Sequence, residues 1–157
     1  MPDEENPNEQ YCELVDAELP LDHPYFSFLS EVRLSESFLG MAVSTGKQLN
    51  ETRSILDMLD TIVSGIEDPN VRLSDQNRKM LNHADEVWLD LKEKLSSGDQ
   101  RAANLLAASA HMRNASSLLL RCSNMEKFEN KIDPYTIKYL KKLSVHTYRE
   151  AIGHVML

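Results

Sequence analysis

From Ser35 onward the apolar residues recur at helical spacing: Ala42, Leu49, Leu56 and Val63 stand seven apart, with Thr52, Leu59 and Ile66 between them. The pattern predicts one coiled-coil-like helix from Ser35 to about Glu67, ended by Asp68-Pro69-Asn70. Ile55 and Ile62 widen its stripe beyond a two-stranded seam, as a helix touching more than one neighbour requires. Gly40 and Gly46 weaken it by about 1 kcal/mol each relative to alanine and mark a place for a bend. Ser74 is an N-cap for a second helix, whose stripe of Leu81, Ala84, Trp88, Leu91 and Leu95 runs out at Ser96-Ser97-Gly98. Asp99 caps a third, with Leu105, Ala108, Met112, Ala115, Leu119 and Cys122 on its core face. Between Ala102 and Leu120 the only formal charge is Arg113, so this helix belongs at the centre. Asp133-Pro134 opens a fourth, carrying Ile137, Leu140, Tyr148, Ile152 and Val155.

No segment alternates with period two between turn signals, so the pattern predicts no strand. The expectation is an all-α, antiparallel up-down four-helix bundle over residues 24–157, preceded by a flexible acidic leader over residues 1–23. The leader is rich in proline and acids and holds few large apolar residues before Leu14. Directly after it, "YFSFL" concentrates Tyr25, Phe26 and Phe28, a cluster that either folds onto the body or docks onto a partner. A first helix of about 50 Å at 1.5 Å per residue outlasts the others by a turn or more. Its overhang exposes apolar surface unless a second copy or the aromatic cluster covers it, which predicts a homodimer.

Composition places the chain among soluble globular proteins: 157 residues, 41% hydrophobic and 27% charged, are enough for one domain. Two isolated cysteines, Cys12 and Cys122, provide neither a disulfide framework nor a four-ligand zinc site, and a reducing, cytoplasmic setting is expected. The opening "MPDEENPNEQ" is acidic where a signal peptide is basic and then apolar, and no run of about 18 apolar residues occurs, so no membrane association is expected. The net charge of −8 is polarised: −9 over residues 1–36, −3 over 37–112 and +4 over 113–157. An acidic leader of this kind can lie against its own basic C-terminal helix.

Four arrangements are candidates for chemistry. The stretch "KLSSGDQRAANLLAASAHMRNASS", a helix, a Gly-Asp turn and a helix bearing His111, resembles the histidine-containing phosphotransfer domain. The resemblance implies a phospho-acceptor role for His111. Where that family carries lysine and glycine after the histidine this chain has Asn114 and Ala115, which leaves Arg113 as the available cation. The residues themselves support a boundary position on a packed helix. His146, Glu150 and His154 form a ladder at i, i+4 and i+8, whose types suit zinc or iron but whose spread over two turns calls for help from another helix, so no metal is expected. The acids Asp57, Asp60, Asp85, Glu86, Asp90 and Glu93 fall mainly between the apolar stripes, as solvated residues do. Lys131, Lys138, Lys142 and Arg149 form a narrow basic ridge, but without a stacking platform and at a pI near 5.1 it does not fit nucleic acid. The expectation is a protein-binding module of adaptor, chaperone-like or inhibitory kind, with no catalysis and no cofactor. It would meet its partner through Tyr25, Phe26, Phe28, Lys138, Lys142 and Arg149.

Overall fold

His23 turns the chain from extended backbone into helix: at φ −64° and ψ 138° its Nδ1 accepts from the Tyr25 N–H at 3.0 Å, with Pro24 in the first helical turn. Helix α1 therefore spans Pro24–Ser44. It is followed by α2 Leu49–Ser64, α3 Asp75–Asn82, α4 Gln100–Ser123, a 3₁₀ turn Glu126–Phe128 and α5 Pro134–Val155. The computed structural model describes residues 6–87, 89, 90, 92 and 98–155.

The predicted four-helix bundle is corrected in three places. First, among the described residues there are five α-helices, because the predicted first helix is two. Ser44 and Thr45 hydroxyls donate to the carbonyls of Met41 and Ala42 at 2.6 and 2.7 Å, and Gly46 and Gln48 then take left-handed backbone at φ 72° and 46°. The overhang that predicts a homodimer is not formed. Second, the helix capped by Ser74 ends at Asn82. Its continuation is held by α5 instead: Arg149 Nη1 donates to the Asp85 carbonyl at 3.1 Å, and the Leu89 N–H donates to Tyr148 Oη at 3.1 Å. Trp88, Leu91 and Leu95 of the predicted stripe lie outside the described residues.

Third, the chain is not all-α, and the leader is not wholly flexible. Strands β1 Glu9–Cys12 and β2 Ala17–Pro20 pair antiparallel, Gln10 opposite Leu19 and Cys12 opposite Ala17, around a four-residue loop that ends with Asp16 at φ 49°. Cys12 and Leu19 are 3% and 1% exposed and join the core cluster with Tyr25, Phe28 and Phe128.

Helix α4 lies in the middle, as its lack of charge predicts, with α1 and α5 antiparallel to it on either side. Small residues let the backbones approach: Ser35 Oγ reaches the Ala108 carbonyl at 3.4 Å, Ser109 Oγ donates to the Ser144 carbonyl at 2.7 Å, and Ser116 Oγ to that of Ile137 at 3.0 Å. Along α1 the buried residues Tyr25, Phe28, Val32, Ser35, Leu39 and Ala42 alternate steps of three and four. Helix α2 crosses α1 and α5 through Ile55, Met58, Leu59 and Ile62, and α3 seats Leu81 against α5. No helix among the described residues is long and apolar enough to cross a membrane.

Candidate functional site

The end of α3's continuation, the middle of α4 and the second half of α5 enclose a cleft of about 380 Å³. Val87, Leu89, Leu106, Ala110 and Val145 give it apolar walls. Of its polar groups, Ser109, Tyr148, Arg113 and Glu86 are tied to neighbours, and Asn114 lines it as well. Ser109 donates to the Ser144 carbonyl, and Tyr148 Oη stands 3.1 Å from the Leu89 nitrogen and 3.3 Å from its carbonyl oxygen. Arg113 pairs with the Glu86 carboxylate across the opening. The hydrogen bond from Arg113 holds Glu86 below the usual carboxylate range, and Lys141 and Lys142 act in the same direction. These bonds pin Asp85, Glu86 and Leu89 to α5 and α4. What faces the interior is mostly apolar surface, with the Arg113–Glu86 pair at its edge; Lys141 and Lys142 lie near enough to act on Glu86, and Arg149 is bonded to the Asp85 carbonyl beside it.

The residues singled out from sequence are dispersed. His111 faces α1: its Nδ1 is 2.5 Å from Glu31 Oε2 and its ring stacks on Phe38 at 5.5 Å and 6°. Arg113 points to the other side of α4, into the cleft with Glu86, so His111 and Arg113 do not form one site. Tyr25 and Phe28 are core residues, 6% and 0% exposed, and offer a partner no surface in this state. Phe26 is half-buried against the His23 and Tyr25 rings. Lys138 is exposed with its ammonium 5.2 Å from the Tyr139 ring centre, Lys142 is half-buried, and Arg149 is bound to the Asp85 carbonyl beside the cleft. Burial pushes the Cys122 thiol up to about 11, as suits a packing residue rather than a nucleophile. Glu31, Phe38 and Ser109, which organise these two regions, carry no local signal in the sequence, and Tyr148 signals a core face but not its bonds to Leu89; each matters through a residue far away in the chain.

His146 is half-buried and His154's side chain lies outside the described residues. Among the described residues no group of three or more His, Cys, Asp or Glu could hold a metal ion. Burial, then Arg149, lowers the His146 pKa from 6.5, with Glu150 acting against them. The folded state thus holds His146 neutral while the unfolded chain takes up a proton as pH falls below 6.5. Stability is expected to decline over that window, and His146→Gln to flatten the decline. His23, lowered by burial and Lys127, should leave a residual slope. Urea denaturation between neutral and mildly acid pH measures both.

A family profile matches residues 11–153, from the hairpin to the last turns of α5. The chain belongs to the family described as domain of unknown function DUF1940. The DUF1940 match takes in Tyr11 and Cys12 of β1, all of β2 and the elements that line the cleft. No curated protein matches the chain.

Proposed function

We propose that this DUF1940 protein is a non-catalytic protein-binding module whose α4–α5 cleft receives a large apolar side chain from an acidic segment of its partner. The observation that carries this reading is the commitment of most of the cleft's polar groups: Ser109, Tyr148 and Arg113 are bonded to the protein itself, which leaves the apolar walls, with Asn114 beside them, to do the recognising. Apolar pockets with a few fixed polar groups are the usual binding sites of folded proteins. Lys141, Lys142 and Arg149 stand near the cleft outside the Arg113–Glu86 pair and supply electrostatic complementarity, which sets partner choice and association rate more than affinity. Of the residues expected to meet a partner, Lys142 and Arg149 remain in this role, while Tyr25 and Phe28 serve the core.

Ala110 is exposed at the cleft and its replacement by tryptophan fills it without touching the core. The full chain, cross-linked in extract from its native source, is expected to capture a discrete acidic protein. Ala110→Trp should weaken that binding about 30-fold or more, the loss of one interface anchor. Leu34→Trp, on exposed α1 surface, should leave it unchanged. Capture that survives Ala110→Trp overturns the reading, as does turnover of a small molecule that Ala110→Trp abolishes.

A further inference from the structure

The turn between α1 and α2 and the turn that starts α4 enclose a second cleft, of about 480 Å³, lined by Thr45, Lys47, Gly98, Asp99, Gln100 and Arg101. It shares no residue with the first. Its floor is Arg101, 3% exposed, whose Nη2 donates to Thr52 Oγ1 at 2.8 Å. Nε and Nη1 are buried and have no acceptor among the described residues. A guanidinium carries five N–H donors, so the one on Nε and the two on Nη1 are unmatched. Native proteins rarely leave buried donors in this state, since each forfeits its water without gaining a bond.

Charge and hydrogen bonding are separate deficits here. Glu150, Glu51 and Asp99 favour the charged form of Arg101 through space, against the burial that disfavours it. None supplies an oxygen to Nε or Nη1. Asp99 is occupied at the start of α4: its Oδ1 accepts from the Ala102 N–H at 3.0 Å and its carbonyl from that of Ala103 at 3.0 Å. The first turn of this 24-residue helix also carries the N–H groups of Gln100 and Arg101, at the end where aligned peptide dipoles favour negative charge. Lys47 is exposed at the opening of the same cleft.

We propose that this cleft is a binding site for a small oxyanion, phosphate or carboxylate, whose oxygens accept from Arg101 Nε and Nη1 and from the first-turn amides of α4, with Lys47 closing over it. The guanidinium fork matches two oxygens held at a fixed spacing. The acids near Arg101 oppose any anion, so the preference for an oxyanion over chloride comes from the fork's paired donors, which a single spherical ion cannot satisfy. Both nitrogens are closed to bulk solvent, so occupancy shifts the Gly98–Gln100 turn.

The full ¹⁵N-labelled chain is titrated with inorganic phosphate and, separately, acetate, each against chloride at matched ionic strength. The expected result is saturable movement of the Arg101 Nε–H and of the Gly98, Gln100 and Arg101 amide signals with at least one oxyanion and none with chloride. Which anion saturates identifies the source. Arg101→Lys, which keeps the charge and loses the fork, should weaken binding tenfold or more, and Lys47→Ala about threefold. Should Arg101→Lys fail to give the native circular dichroism, the wild-type Arg101 Nε–H signal and Lys47→Ala decide. An Nε–H signal indifferent to both anions up to tens of millimolar overturns the proposal, because water then fills the site. Saturable binding that Arg101→Lys leaves unchanged overturns it as well.

Discussion

Phe28→Ala is expected to lower the unfolding free energy by about 3–5 kcal/mol, the usual cost of emptying a buried aromatic site. Its ring is 0% exposed on the α1 seam, 5.8 Å from the Tyr25 ring, which in turn stands 5.4 Å from Phe128. Burial pushes the Tyr25 phenol up to about 12, which marks how little water reaches this cluster. A domain of this size has only about 5–15 kcal/mol of stability, so the substitution removes a large share. Leu34→Ala, 41% exposed on the same helix, should stay within about 0.5 kcal/mol of wild type. Urea denaturation of the two variants separates a core role for "YFSFL" from a docking role. A docking Phe28 would leave stability unchanged and remove only binding.

Much of the helical framework is legible in the sequence because its signals are local. Ser74 and Asp99 cap α3 and α4 through the bonds their side chains accept, and Asp133 accepts from the Tyr135 N–H at 2.9 Å at the start of α5. The features that escape are those decided at a distance. The heptad runs unbroken in sequence from Ala42 to Leu49 and conceals the break between α1 and α2, where Gly46 and Gln48 take left-handed backbone and the buried face passes to Thr52, Ile55, Leu59 and Ile62 while Leu49, Leu56 and Val63 stay half-buried. The early end of α3 depends on Tyr148 and Arg149, which bond to residues 59 and 64 positions away. Arg113 follows His111 closely in sequence, yet each is claimed by a different neighbour, Glu86 and Glu31. Arg101 reads as an ordinary charge in a first helical turn. Only the approach of Thr52 from α2 reveals that it is buried with donors left over.

The hairpin gave no period-two signal because only one corner of it meets the core: β1 is exposed until Cys12, and β2 buries Leu19 alone. Two-stranded hairpins are marginal by themselves in water, so its order must come from that docking. Leu19→Ala is accordingly expected to cost about 2–5 kcal/mol, as for other leucines fully removed from a core. Leu21→Ala, 49% exposed just past the strand, should cost less than about 0.5 kcal/mol. Hydrogen exchange followed by mass spectrometry should show the hairpin of the Leu19 variant opening before the rest of the molecule, with α4 still protected. A residue in a free acidic leader would show neither effect. If Leu19→Ala matches wild type in urea and in exchange, the hairpin contributes nothing to the core and the leader reading stands after all.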